Sequence, residues 1–179
     1  MVKTIESTLN KFQWVLFGSV PQPLQKHVTT GKIEFHSWVP IYDYPRKLAS
    51  LKANVCIAPL VDNLFNNSKS DLKYIEACAL GTPVVCQDME TYKHAPYKFN
   101  TGDELVDLVQ GIVSSKDIYM KICRKFREAS DHRWLEDNID VYRELYCVPY
   151  GHKDRVNINK INSGNFYDMC AQQLKFPVL

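Results

Sequence analysis

The stretch SKSDLKYIEACALGTPVV, residues 68–85, contains a helix signal followed at once by a strand signal. Ser68 or Ser70 is a suitable N-cap residue, and Asp71 suits a first helical turn. Gly81 is a typical residue for a helix stop. The apolar run after Gly81 predicts a buried strand. A short helix leading directly into a wholly apolar strand is typical of a parallel sheet covered by helices.

The same alternation extends in both directions along the chain. Apolar runs predict parallel strands at residues 14–17, 33–36, 54–58 and 83–86. Helical spacing of apolar residues lies between and after them, at residues 2–12, 41–52 (starting near Pro45), 102–115, 116–130, 132–146 and 166–174. The sequence therefore predicts an α/β fold, a Rossmann-like parallel sheet with helices on both faces.

Composition limits the class of protein. The chain has 179 residues and a net charge of +2, which suits one core-forming domain and gives no reason to expect nucleic acid as a partner. The six cysteines form no C-x-x-C pair, and three of them lie in apolar segments as expected for buried free thiols: Cys56, Cys78 and Cys86. The N-terminus is charged, and no apolar run approaches the ~20 residues of a transmembrane segment. We expect a cytoplasmic protein.

Two lysines and a glutamate on the predicted helix need an explanation. Lys69, Lys73 and Glu76 are spaced three and four apart, which would place them on one stripe. In a functional interpretation, Lys69 and the helix amides hold a phosphate while Glu76 accepts hydrogen bonds from a sugar. In the alternative, the helix face is solvated and Lys73 forms an ion pair with Glu76. Spacing alone favours this second interpretation.

The edge of the predicted sheet gives the lysines and the glutamate a context. Parallel sheets bind ligands beyond the carboxyl ends of their strands. Gly18, Trp38 and Val39, and the loop that contains Asn66, all follow predicted strands. The five histidines lack metal-ligand spacing, so we expect no metal site.

A resemblance to a known family adds weight to the functional interpretation. The matching residues are Pro59, Phe65, Asn66, Lys69, Ser70, Lys73, Glu76, Ala79, Gly81, Pro83, Val84 and Val85. This pattern resembles the nucleotide-sugar-binding, C-terminal half of GT-B glycosyltransferases, in particular the retaining enzymes of family 4, the glycosyl transferases group 1. The resemblance covers roughly residues 10 to 145.

The resemblance implies roles for the matched residues. Glu76 would hold the ribose hydroxyls of a UDP- or GDP-type nucleotide diphosphate-sugar. The loop with Asn66, Ser68 and Ser70 would lie by the diphosphate, and Lys69 would be catalytic by stabilising the leaving diphosphate. The segment FHSWVP resembles the part that flanks the base, which points to Trp38 and Val39, with Gly18 beside them. The family usually needs no metal, and we expect no cofactor.

Two departures from the family pattern affect the expected function. Many members have a glutamate where this chain has Ser68. A GT-B enzyme also has two Rossmann-like domains, and the acceptor-binding half and the first strand of the donor half have no counterpart here. We expect a nucleotide-sugar-binding domain at residues 1–146, a tail with a possible helix at 147–179, and a homo-oligomer or partner subunit that supplies the missing domain. The alternatives are a non-catalytic nucleotide- or partner-binding module and half of a GT-B sugar epimerase.

Overall fold

The computed structural model describes residues 1–133 and 136–140. The chain divides into two compact units, Met1–Trp134 and Leu135–Leu179. The predicted domain boundary after residue 146 and the predicted helix at 166–174 lie outside the described residues, as does most of the helix predicted at 132–146. The fold below is that of the first unit.

Strands and helices alternate along this unit. The strands are β1 (Trp14–Gly18), β2 (Ile33–Ser37), β3 (Cys56–Ala58), β4 (Val84–Gln87) and β5 (Lys98–Phe99). The α-helices are α1 (Val2–Ser7), α2 (Gln25–Thr29), α3 (Tyr44–Ser50), α4 (Leu64–Asn67), α5 (Leu72–Ala79), α6 (Gly102–Ile112) and α7 (Lys116–Ser130). Short 3₁₀ helices lie at Gln22–Leu24, Glu90–Tyr92 and Asp131–Arg133, and another lies in the second unit at Glu136–Asn138.

All strand pairs in the described residues are parallel, as the apolar runs predict. The strands hydrogen-bond in two groups, with the orders β1-β2 and β3-β4-β5. In the first group Trp14 pairs with Ile33 and Gly18 with Ser37, so β1 and β2 end side by side. The sequence predicts the four longer strands in one sheet, whereas no backbone ladder joins β1 to β3 in the part of the chain that the structure describes. The α/β, Rossmann-like class is confirmed.

Helices cover both faces of the β3-β4-β5 group. Val84 and Cys86 of β4 pack with α5 and α7 in one buried cluster. Val85, between them in sequence, packs with α6 in another cluster. Since neighbouring strand residues point to opposite faces, α5 and α7 lie on one face and α6 on the other. This two-sided burial explains why the strand is apolar without alternation.

The β1-β2 group has its own core, and Trp14 links it to the core of the second group. Ile5 of α1, Leu24 and Ile33 of β2 are buried together in this core. Trp14 packs against this cluster and also against the cluster that contains Val85 and α6. Its indole Nε1 donates a hydrogen bond of 3.0 Å to Thr8 Oγ1. Trp14 thus joins the two groups by side-chain packing.

The start of α5 corrects the predicted helix. Ser68 is the C-cap of α4, and its hydroxyl donates to Leu64 O, so neither Ser68 nor Ser70 caps α5. The N-cap is Asp71, whose carboxylate forms a bidentate ion pair with Arg133 at 2.9 and 3.3 Å rather than capping the helix. Because α5 begins at Leu72, Lys69 lies outside the helix. The predicted stripe of Lys69, Lys73 and Glu76 on one helix is therefore wrong.

The end of α5 is as predicted. Gly81 has φ +66°, the left-handed conformation that favours glycine. Its amide donates to Cys78 O at 2.8 Å, and the Thr82 amide donates to Ala77 O at 2.9 Å, which is the Schellman pattern of hydrogen bonds. Arg127 of α7 donates to the neighbouring Leu80 O at 3.3 Å. The helix stop thus also fixes α5 against α7.

Candidate functional site

The carboxyl ends of β1 and β2 bring Gly18 and Trp38 together. Gly18 has φ +102°, a backbone conformation that L side chains rarely adopt. A Cβ at this position would lie 3.0 Å from two carbons of the Trp38 indole. The ring therefore lies against the bare backbone of Gly18, while 71% of Trp38 stays exposed. The pair forms an open platform onto which a planar ring can stack.

Glu76 of α5 is held by two donors at one of its carboxylate oxygens. The Tyr44 hydroxyl donates to Glu76 Oε2 at 2.9 Å. The Lys73 ammonium donates to the same Oε2 at 3.0 Å and to the Tyr44 hydroxyl at 2.7 Å. Only 20% of the Glu76 side chain is exposed. A carboxylate has about four acceptor positions, so Oε1 can still accept hydrogen bonds from a ligand.

Aromatic contacts fix the position of Tyr44. Its ring stacks on that of Phe17 in β1, with centroids 5.4 Å apart and planes 11° from parallel. Lys73 Nζ lies 5.0 Å from the Tyr44 centroid. Tyr44 is the first residue of α3, so it links the end of β1 to α5. The two strand groups thus meet at this residue on the carboxyl side of the sheet.

The network favours the neutral tyrosine and the charged lysine. Partial burial is the main cause that raises the pKa of Tyr44, and the adjacent Glu76 carboxylate raises it further. Partial burial would lower the pKa of Lys73, but hydrogen bonds to Tyr44 and Glu76 outweigh it and raise that pKa. At neutral pH, Tyr44 therefore keeps its proton and donates a hydrogen bond to Glu76, while Lys73 carries its charge.

Lys69 lies in the connection between α4 and α5, together with Ser70. Its ammonium sits 4.5 Å from the centroid of the Phe65 ring, which is 73% exposed. Its amide donates to Asn66 O at 3.2 Å. The exposed ring holds the charge near the surface without neutralising it. Lys69 remains accessible to an anion, and Ser70 is exposed beside it.

Asn66 is buried in the loop that it shapes. Its side-chain amide donates to Val61 O at 2.8 Å, its backbone amide donates to Asn63 Oδ1 at 2.9 Å, and its carbonyl accepts from the Thr91 hydroxyl. These bonds tie α4 to the loop before it and to the segment after β4. In the structure Asn66 orients the loop, so direct contact with a ligand stays a prediction.

The predicted site residues form three local groups. Gly18 contacts Trp38, Glu76 contacts Lys73, and Lys69 contacts Phe65. Val39 is half-buried beside Trp38 and Ser68 is exposed after α4. The structure records no hydrogen bond or ion pair from Lys69 to Glu76 within residues 1–133.

The contact of Tyr44 with Glu76 is the feature that sequence reasoning missed. The sequence does not single out Tyr44 as a candidate site residue. Thirty-two positions separate the two residues, so no local spacing indicates their contact. The proline after Tyr44 was the available signal, because it fixes the start of α3 and with it the position of the tyrosine.

A groove in the described residues lies away from the predicted site. Its volume is about 580 Å³, and it is lined by Tyr97, Lys98, Glu104, Asp107, Leu108, Gly111, Ile112, Ile118 and Ile122. None of the predicted site residues lines it. At the edge that carries Trp38 and Glu76, 71% of Trp38 is exposed, whereas the Glu76 side chain is 20% exposed.

Comparison with known proteins identifies the family. No helix among the described residues is both long and apolar enough to cross a membrane. No curated protein and no solved structure matches the chain. A family model described as glycosyl transferase-like matches residues 1–137, which is more than half of the chain. The chain therefore belongs to the glycosyl transferase-like family.

Proposed function

We propose that this chain binds a nucleoside diphosphate-sugar at the carboxyl edge of its parallel strands and presents the sugar for transfer to an acceptor. The observation that carries the proposal is the Glu76 carboxylate, fixed at Oε2 by Tyr44 and Lys73 and able to accept hydrogen bonds at Oε1. Such a carboxylate suits the neighbouring hydroxyls of a ribose. The family assignment supports sugar transfer as the reaction.

The base would stack on Trp38. Gly18 allows the indole to approach the backbone closely, and most of Trp38 is exposed. Stacking of a base on an aromatic side chain contributes about 1–3 kcal/mol and tolerates several bases. The platform therefore supports nucleotide binding without choosing between a UDP- and a GDP-type donor.

The diphosphate would lie by Lys69 and the first amides of α5. Lys69 is accessible, and the positive end of the helix dipole adds to its charge. Charge on the diphosphate grows as the bond to the sugar breaks, so a fixed cation next to it lowers the barrier. Lys69 is the proposed catalytic residue, and Ser68 and Ser70 are proposed to bind the substrate beside it.

Transfer to an acceptor would need a second domain, on the same polypeptide or on another chain. Two reactants must be held in register, and water must be kept from the developing charge. Residues 1–133 form one Rossmann-like unit in which Trp38 and Lys69 are exposed. A non-catalytic nucleotide-binding module and half of a sugar epimerase share this donor-side geometry, and product analysis with a nucleotide-sugar distinguishes them from transfer.

Calorimetric titration of the chain with UDP, GDP and their sugars tests the proposal. Glu76→Gln should weaken binding of a ribonucleoside diphosphate by about 1–3 kcal/mol, because a hydrogen bond to a charged group is lost. It should affect the 2′,3′-dideoxy analogue much less. Glu90→Gln is a matched control, since Glu90 forms a similar surface pair with Lys93 at 2.7 Å. Equal losses for both ligands would contradict the role of Glu76.

A further inference from the structure

We propose that Tyr44 is the positioning residue for ribose recognition, because its hydroxyl holds Oε2 of the Glu76 carboxylate and leaves Oε1 to accept hydrogen bonds from the ribose. This inference rests on the proposed function and extends it to a residue outside the predicted site. Tyr44 acts through Glu76 and is not itself a catalytic residue.

The hydrogen bonds at Glu76 carry the inference. Tyr44 and Lys73 both donate to Oε2, at 2.9 and 3.0 Å, which uses the acceptor positions of that oxygen. Lys73 alone would leave the carboxylate free to rotate, since this lysine is 59% exposed on a flexible side chain. The Tyr44 hydroxyl is the second donor to Oε2, and two donors from different directions restrict the position of that oxygen more than one flexible lysine does.

The surroundings of Tyr44 explain why it is rigid enough for this task. Its ring is stacked on Phe17, which belongs to β1, while Glu76 belongs to α5. The Tyr44 hydroxyl therefore fixes the Glu76 carboxylate relative to β1, a strand of the β1-β2 group. A tyrosine that merely packed against α5 would need only its ring, whereas here the hydroxyl itself contacts both charged groups.

Tyr44→Phe separates the hydroxyl from the ring, because the stack on Phe17 is kept. The assay measures dissociation constants for whichever of UDP and GDP binds the full chain better, and for its 2′,3′-dideoxy analogue. We expect affinity for the ribonucleotide to fall about three- to tenfold, the size of one hydrogen bond, and affinity for the analogue to change less than twofold. Tyr42→Phe, at a position 90% exposed, is the matched control and should change neither value.

Each other result has a definite meaning. The positioning role is overturned if Tyr44→Phe lowers affinity for the ribonucleotide and for its dideoxy analogue equally. It is also overturned if Tyr44→Phe prefers the ribonucleotide over the analogue as strongly as the unmodified chain does. If Glu76→Gln abolishes discrimination while Tyr44→Phe does not, the proposed function stands and only this inference fails. If the unmodified chain binds no nucleotide, both fail. Should Tyr44→Phe not fold, Phe17→Leu is the second variant, because it keeps the Tyr44 hydroxyl but loosens the ring. It should lower affinity for the ribonucleotide by a smaller factor than Tyr44→Phe and leave affinity for the dideoxy analogue nearly unchanged. If Phe17→Leu bound both ligands as tightly as the unmodified chain does, the inference would be refuted.

Discussion

Replacing Gly18 by alanine tests the Trp38 platform. The new Cβ would lie 3.0 Å from two indole carbons, closer than ordinary van der Waals contact, at a backbone φ of +102°. Backbone strain of this kind costs about 1–3 kcal/mol. Displacing the ring adds about 1 kcal/mol, at the low end for overpacking, since Trp38 is 71% exposed and can move outward. We expect Gly18→Ala to lower the free energy of unfolding by about 2–4 kcal/mol.

Two comparisons separate the backbone strain from the contact with Trp38. Gly31 has φ +71°, and a Cβ added there would meet no atom within 4 Å, so Gly31→Ala should show strain alone, about 1 kcal/mol. In a Trp38→Ala background, the cost of Gly18→Ala should fall by the part that comes from the ring. The coupling in this double-mutant cycle should be about 1 kcal/mol.

Urea denaturation of the four variants in the cycle measures the free energies of unfolding. Nucleotide titration of the same proteins should show weaker binding in Gly18→Ala, because the ring that stacks on the base has moved. Zero coupling between the two substitutions would refute the contact. Normal nucleotide affinity in a folded Gly18→Ala protein would refute the platform.

Other parts of the unit give three more predictions. Lys69→Ala should weaken binding of diphosphates more than of nucleosides in calorimetry, because the lost interaction is with charge, and equal weakening would contradict it. Burial raises the pKa of Cys56 to about 11 and of Cys86 to about 12. The folded state keeps these protons where the unfolded state loses them, so stability should be full below pH ~9 and fall as the pH rises from ~9 to ~12. Denaturation curves that coincide at pH 8.5 and 10.5 would contradict this, and Cys86→Ala should reduce the slope. The isolated chain should bind the donor but transfer sugar slowly. Sedimentation combined with an activity assay tests this, and a monomer with an ordinary turnover rate would contradict it.

Much of this fold follows from local patterns in the sequence. The apolar runs predict the strands because parallel strands covered on both faces exclude polar residues, as Val84 to Cys86 show. Gly81 predicts the helix stop because the left-handed conformation there favours glycine. Such features depend on neighbours in sequence, so the residues themselves encode them.

The features that sequence reasoning missed depend on distant partners. The sequence predicts Asp71 inside α5, whereas in the structure Asp71 precedes the helix and its carboxylate pairs with Arg133, 62 positions away. A four-residue α4 is too short to show periodicity, so the sequence pattern assigns Lys69 to the wrong element. The contact of Tyr44 with Glu76 joins two strand groups that the sequence predicts as one sheet.

The meeting of the two strand groups has a consequence for cooperativity. Backbone ladders hold each group internally, but in the described residues β1 and β3 share none, and side chains such as Trp14 join the groups. Gly18 and Trp38 belong to the first group, whereas Lys69 and Glu76 belong to the second. A nucleotide that contacted all four would act as a crosslink between the groups. We therefore expect amide hydrogens in β1 and β3 to exchange at different rates in the free chain and to slow down together when the ligand is bound.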